Sequence, residues 1–393
     1  MRRLTRTILS SLSLPRAARA ERHRDSKGLP PNDPSAERVI DHAIAWLGRA
    51  QDNSASRDGG IARHFGLVNG WATSYPETTG YIVPTMLEHA RRTGNSDARV
   101  RARRMLDWLV AIQMPDGGFQ GGRIDSKPVV PVTFNTGQIL LGLAAGVADL
   151  GDAYRDAMNA AARWLAESLD DDGCWRRHPT PFAQPGEKAY ETHVSWGLFE
   201  ADRVAPGNGF GEAGLRQIAW ALTKQADNGW VADCCLVNPS QPLTHTLGYF
   251  LRGVVEAYRL SDDPALLAAA RRTADGLLTA LDPDGRLPGR LTADWSAAVP
   301  WVCLTGSVQI AHCWLMLYQY TEDPRYRDAA LSTNAFVRRT VRVDGPPETR
   351  GGVKGSFPVH GDYGTYEYLN WAAKFCIDSN VLELAVGRGP KGD

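Results

Sequence analysis

Six ionisable residues of this sequence fall where they could share one site: Glu77, Glu191, His193, His245, Asp362 and Glu367. The first four stand within two residues of a threonine (Thr79, Thr192 or Thr246) that opens a segment with helical apolar spacing. Thr136, Thr305 and Thr365 register three further segments, with Asn135 and Gln138, Ser307 and Gln309, and Tyr366, Glu367 and Asn370 beside them. An N-cap role accounts for a Thr or Asn at such a place without any function. It does not account for glutamates and histidines beginning several buried helices. Two chemistries fit these residue types. Glycoside hydrolysis needs two carboxyl groups across the scissile bond, one of them protonated; Glu77 is the choice for one, with Glu191, Glu367 or Asp362 as its partner. Epimerisation or β-elimination of a uronate needs a base for the proton α to the carboxylate. His193 or His245 would take that proton, and Tyr366 or Tyr75 would return one.

Substrate-binding candidates surround these groups. Trp71, Tyr75 and Tyr81 lie in WATSYPETTGY and supply flat apolar faces of the kind that stack on a sugar ring or an isoprenoid, although each is equally readable as core. Pro76 suits a first helical position, and Pro84 leaves the Gly80 carbonyl without its usual donor. Asn135, Gln138, Gln309, Tyr366 and Asn370 offer hydrogen bonds, and Lys354 offers a charge for an acidic substrate. Arg63, His64, Arg123 and other basic residues share the same loops with acidic ones, so the loops as a set are no phosphate cradle. Asp233-Cys234-Cys235 with His245, and Cys303 with His312 and Cys313, lack a recognised ligand spacing, so neither metal nor cofactor is expected.

The elements that must position these residues are legible as a repeat. Asp/Asn-Gly turns recur at Gly59, Gly117, Gly173, Gly229, Gly285 and Gly345, separated by 58, 56, 56, 56 and 60 residues. A two-faced helical segment precedes each turn, as in AERVIDHAIAWLGRAQ, where Val39, Ile40, Ala43, Ile44 and Leu47 share one face. After each turn comes a longer loop, then a segment apolar on most sides, such as TFNTGQILLGLAAGVADLG. The pattern predicts an all-α toroid of six helical hairpins over residues 36–381, with amphipathic outer helices and buried inner ones. The inner-helix N-termini then gather with the long loops at one mouth, where backbone N–H groups favour anionic groups.

The ends of the chain read differently. Residues 1–27 carry eight basic residues against two acidic ones, a net +6, which leaves −6 for the remainder of a chain with zero formal charge. A mildly acidic body without a basic stripe argues against nucleic acid as partner. Residues 1–35 are expected to be a disordered basic leader. Ile8, Leu9, Leu12 and Leu14 among its arginines also suit a peripheral contact with anionic lipid, and Ala18-Arg19-Ala20 loosely fits a secretion signal. Residues 382–393 read as a short tail. The six cysteines follow no disulfide framework, so free thiols in the cytoplasm are expected.

With the repeat in place, the chain resembles the α/α-toroid superfamily over nearly its whole length after residue 35. The DGGF and DNGW turns at 116–119 and 227–230 resemble repeats of squalene-cyclase and protein-prenyltransferase proteins. The Asp-x-Asp-Asp tetrad with which such cyclases protonate an alkene is absent from a suitable inner helix, and the prenyltransferase zinc site is matched only at His245-Thr246. Closer in wording, SYPETTGYIVPTMLEHA (74–90), LTGSVQIAHCWLMLY (304–318) and KGSFPVHGDYGTYEYLNWAAKFCID (354–378) resemble toroid proteins of bacterial polysaccharide-biosynthesis loci. That resemblance implies a carbohydrate context. The expected function is a carbohydrate-active enzyme working on an oligosaccharide or polysaccharide in the toroid funnel. The alternatives are an isoprenoid cyclase or prenyltransferase-like enzyme, or a glycan-binding protein without catalysis.

Overall fold

The computed structural model describes residues 14–387. A short helix, α1 (Arg16–Asp25), leads into a ring of twelve. The outer helices are α2 (Ala36–Asp52), α4 (Ser96–Ile112), α6 (Arg155–Ser168), α8 (Phe210–Leu222), α10 (Pro264–Thr279) and α12 (Pro324–Thr340). The inner helices are α3 (Pro76–Thr93), α5 (Thr133–Leu150), α7 (Thr192–Val204), α9 (Thr244–Ser261), α11 (Leu304–Thr321) and α13 (Asn370–Gly387). Successive inner helices pack side by side, and α13 reaches both α2 and α3, so the ring is closed. This is the (α/α)6 toroid that the repeat predicts. The tightest antiparallel pairs, however, are joined by the short return turns, α3 with α4 through to α11 with α12, while α13 takes α2. Each long mouth loop thus bridges two such pairs.

Local sequence explains the elements. Outer helix α2 starts at Ser35, whose hydroxyl accepts from the Arg38 N–H, and buries Val39, Ala43, Trp46, Leu47 and Ala50 along one stripe. Inner helix α5 is buried on almost every side from Thr133 to Val147. Inner helices approach closely because of small residues: a Cβ on Gly142 would overlap the Gly80 carbonyl, and one on Gly253 would overlap that of Thr192. Pro84, inside α3, is what leaves the Gly80 carbonyl available for that contact.

The recurrent turn has a specific task. In four repeats the Asp or Asn side chain accepts from the N–H two residues on, at 3.0–3.1 Å for Asp58, Asp116, Asp172 and Asn228. All six turn glycines have positive φ. From the second to the fifth repeat, the turn glycine also lies against the backbone of the next outer helix. A Cβ there would strike the carbonyl of Ala160, Arg216, Arg272 or Ser332 in turn. In the sixth repeat Gly351 takes over this part and abuts the His42 carbonyl on α2. Close by, the Trp46 indole donates to the Glu348 carbonyl at 2.8 Å.

Short strands, which the helical pattern does not announce, tie the mouth loops. β1 (His64–Gly66) pairs antiparallel with β2 (Gly70–Trp71) and, across the closure, with β5 (Glu367–Leu369); β3 (Val302–Cys303) pairs with β4 (Ser356–Phe357). Thr365 therefore does not register the last inner helix. It precedes β5, and its hydroxyl donates to the Gly361 carbonyl.

Over Arg16–Asp25 the leader departs from the expected disordered arm. Helix α1 buries Ala18, Glu21 and Asp25. Lys354 donates to Glu21 at 3.0 Å and also bonds Asp25, whose other oxygen accepts from the Val359 N–H at 2.7 Å. This nearly inaccessible triad takes Lys354 out of substrate binding. Residues 1–13, with the apolar positions Ile8, Leu9 and Leu12, lie outside the described residues, as do 388–393; α13 itself continues past 381 to Gly387. All six cysteines are free and buried, and no described helix is long and apolar enough to cross a membrane.

Gly351→Ala is expected to destabilise the fold by about 2–4 kcal/mol, because the added carbon meets backbone. Gly94→Ala, at a left-handed φ of 72° with open space around it, costs only about 1–2 kcal/mol. Chemical denaturation of both variants checks the difference; equal losses would leave backbone conformation, not docking, as the cause.

Candidate active site

Ring closure builds the mouth. Pairing of β1 with β5 sets Gly66 opposite Glu367, next to Arg63 and His64. Arg63 donates to the Glu367 carboxylate at 2.9 Å and lies 5.0 Å from the centre of the Trp371 ring. It stands where two cavities meet. The outer one, about 670 Å3, is an open cleft bordered by Trp71, Tyr75, His64, Arg123, Phe182 and Glu367. Beneath it lies a smaller chamber of about 200 Å3. Eight of the fourteen residues lining that chamber are aromatic, Tyr75, Tyr81, Phe134, Phe182, Tyr190, Tyr249, Tyr363 and Trp371, and its polar members include Glu77, Asn135, His245 and Arg63.

Glu77 begins α3 and is 7% exposed. Asn135 of α5 donates to it at 2.9 Å. Burial pushes its carboxyl up to about 7; the Tyr75 hydroxyl and the Arg63 charge oppose that shift without cancelling it. Near neutral pH it is therefore a mixture of acid and anion. His245, on the opposite arc at the start of α9, is pulled down to about 4 by burial, against a hydrogen bond to Gln309 that favours the charged ring. Its Nδ1 lies 2.6 Å from the Gln309 amide oxygen. That bond puts the proton on Nδ1 and leaves Nε2 as a neutral acceptor. A carboxylic acid and a free imidazole base thus line the same aromatic chamber, with one guanidinium at its entrance.

The remaining polar residues at the inner-helix starts tie helices together. His193 is wholly buried between Tyr249 and Trp196, with Nδ1 2.6 Å from the Gln138 amide oxygen. Asn370 donates to the Thr78 hydroxyl at 2.7 Å and to the Ala62 carbonyl at 3.0 Å. Gln138, Gln309 and Asn370 accordingly act as inter-helix ties, and none of them lines either cavity; Asn135 both ties and lines. Glu191 is buried and raised to about 8 by desolvation, yet a 3-10 turn over Ala189–Glu191 presents Tyr190 to the chamber in its place. Glu367 borders only the outer cleft, while Tyr366 and Asp362 border neither cavity. Trp71 and Tyr75 border the outer cleft, and Tyr81 the inner chamber, as the sequence suggests. No three His, Cys, Asp or Glu side chains among the described residues come together as a metal site.

Several lining residues escape the sequence-based list, Phe134, Tyr190, Tyr249, Tyr363 and Trp371, and Arg63 is read there only as loop charge. A signal for two was available. Glu77, Phe134 and Tyr190 all stand two residues before the registering threonine, so the position that holds the acid in one repeat holds an aromatic wall in the next two.

Solved structures of similar shape frame this geometry. An unsaturated glucuronyl hydrolase specific for heparin matches at a TM-score of 0.72 and 14% identity, over 91% of this chain and 99% of that one. A D-mannose isomerase matches at 0.71 and 12%, over 91% and 99%. The cellobiose 2-epimerase of Spirochaeta thermophila matches at 0.69 and 18%, over 95% and 100%. At these identities the likeness shows the fold. No protein-family model matches the sequence, and no curated protein is similar to it.

Glu77 gives a stability signature of its own. Its folded value of about 7 lies above the ordinary 4.5, so the folded state keeps a proton that the unfolded chain releases. Stability from this group is full below about pH 4.5 and is lost as pH rises to about 7. Glu77→Gln, isosteric and still able to accept from Asn135, should gain on wild type by on the order of 3 kcal/mol between about pH 4 and pH 8. Denaturant titrations across that range test it; a pH-independent difference would refute the buried acid.

Proposed function

We propose that this protein is a carbohydrate-active enzyme that moves protons on an acidic sugar, by elimination or epimerisation, in the inner chamber of the toroid. The observation that carries the reading is the pairing of Glu77 and His245 in one enclosed chamber beside Arg63. Arg63 receives the sugar carboxylate, its guanidinium presenting paired N–H donors. His245 Nε2 takes the proton α to that carboxylate, and Arg63 stabilises the enolate charge that develops. In elimination the electron pair becomes a carbon–carbon double bond, the β-oxygen bond breaks, and Glu77 gives its proton to the leaving oxygen. In epimerisation Glu77, or Tyr75 beside it, returns a proton to the carbanion from the other face. The aromatic walls stack on the ring, and the outer cleft with Trp71 accommodates further sugars of an oligosaccharide.

Hydrolysis by two carboxyl groups is less favoured, because Glu77 is the sole carboxyl lining the chamber among the described residues. The three neighbours named above act on saccharides by their own descriptions, which supports a sugar substrate here. The wording of segments 74–90, 304–318 and 354–378 supports a place in polysaccharide biosynthesis, and free thiols support a cytoplasmic one. A second reading rests on the eight aromatic lining residues. They would stabilise a carbocation in an isoprenoid-processing enzyme, as the turn motifs suggest.

Incubation with acidic bacterial oligosaccharides in deuterated water, followed by mass spectrometry, tests the proposal. Deuterated or unsaturated sugar is expected from wild type, and none from Glu77→Gln or His245→Ala. Turnover restricted to isoprenoid diphosphates or squalene would overturn it in favour of the second reading. Glycan binding without turnover, left intact by Glu77→Gln, would favour a binding protein.

The rate should also be bell-shaped in pH. His245 must be neutral, above about 4, and Glu77 protonated, below about 7. An activity that keeps rising above neutrality would contradict Glu77 as the acid.

A further inference from the structure

The inner helices end, as well as begin, around a cavity. Their C-terminal halves enclose about 580 Å3 at the end of the ring opposite the mouth, within the range of roughly 300–1,000 Å3 usual for small-molecule pockets. One wall is apolar, built from Leu141, Ala144, Ala145, Val381 and Leu382. The facing wall carries Trp196, with the Arg252 guanidinium stacked 4.0 Å from the ring centre.

The hydrogen-bond inventory of this cavity is one-sided. Glu200 already accepts from the Trp196 indole at 2.8 Å and from both terminal nitrogens of Arg203. Asp378 accepts from Thr85 at 2.7 Å and from Lys374 at 2.6 Å, one bond to each oxygen. Behind the wall, Glu256 is shared by Arg252 and Arg259. The acceptors are thus engaged, whereas donors are left over. Lys374, 1% exposed, makes a single hydrogen bond among the described residues, and Arg252 Nη1 makes none. His312 lines the same wall with its buried Nδ1 unpartnered among them, but burial holds the ring neutral and it adds no positive charge. Five basic residues border the cavity against three acidic ones, with Glu256 behind the wall pairing Arg252 and Arg259 and Asp149 beside Arg91, so what is left over is N–H donors and not net charge. The carbonyl ends of the inner helices point this way and favour a cation; Arg91, Arg203 and Arg259 at the rim offset them.

We propose that this far cavity is a second ligand site, taking an organic anion with an apolar body. Its phosphate or carboxylate head meets Lys374 and Arg252, and its carbon chain lies on the alanine and leucine wall. The site is separate from the mouth: Tyr81, Tyr249 and Phe375 pack around His193 between the two. It does not depend on the chemistry proposed for the mouth.

Calorimetric titration with three amphiphiles of one tail, below their micelle concentrations, tests this. The probes are n-octyl phosphate, n-octyl glucoside and n-octyltrimethylammonium. The phosphate is expected to bind one to one and at least about tenfold more tightly than the others, as loss of a charge-assisted hydrogen bond implies. Ala145→Trp, which fills the cavity from a half-buried position, and Lys374→Met should each weaken it by about tenfold or more. Glu77→Gln should leave it unchanged. Equal affinity for all three heads, preference for the ammonium, insensitivity to Ala145→Trp, or sensitivity to Glu77→Gln would each overturn the proposal. Should Lys374→Met fail to fold, Ala145→Trp carries the decision.

Discussion

The ring depends on a backbone-to-backbone contact that recurs between most repeats and the next. From the second repeat to the fifth a turn glycine sits against the carbonyl of the following outer helix, and Gly351 completes the circuit on α2. Because no side chain intervenes, the distance between repeats is fixed by main-chain geometry and does not vary with local packing. Inner helices obey the same rule where Gly142 meets Gly80 and Gly253 meets Thr192. Two sets of contacts, one outside and one inside, hold successive helices close together. The chamber at the axis is what remains of the space between them.

The polar belt of the mouth follows from that spacing. Side chains at the first turn of neighbouring inner helices come within bonding distance, so Glu77 meets Asn135, His193 meets Gln138, His245 meets Gln309, and Asn370 meets Thr78. Each bond settles a tautomer or an orientation. Three partners of the belt, Glu77, Asn135 and His245, also reach the chamber; His193 is sealed one layer lower. The difference between a sealed tie and a group that reaches the chamber is then a matter of depth along the axis, not of residue type.

That distinction explains what the sequence could disclose. The number of repeats, the inner and outer helices and the position of the mouth follow from turn spacing and apolar periodicity, which are local and regular. Glu77 and His245 were also visible, as ionisable residues where a cap alone would suffice. Depth was not visible. Glu191 sits in the sequence where His245 does, one residue before its threonine, but a 3-10 turn carries it off the chamber. Lys354 reads as a mouth-loop cation until α1 folds back to enclose it, a contact across 333 residues of chain. The strand pairing that delivers Glu367 to Arg63 is likewise a product of closure, and short periodicity carries no trace of it.

Closure also bears on how the molecule comes into being. The first outer helix has as its packing partner the last inner helix, and Trp46 finds the Glu348 carbonyl 302 residues further along. During synthesis the apolar stripe of α2 therefore emerges long before the surface that will cover it. A chain with so distant a first contact folds slowly and carries exposed apolar surface until translation ends. Nascent α2 is accordingly the segment with the greatest need of chaperone protection. A circular permutant beginning at α3 and ending with α2 would place the two partners next to each other in sequence and relieve that need.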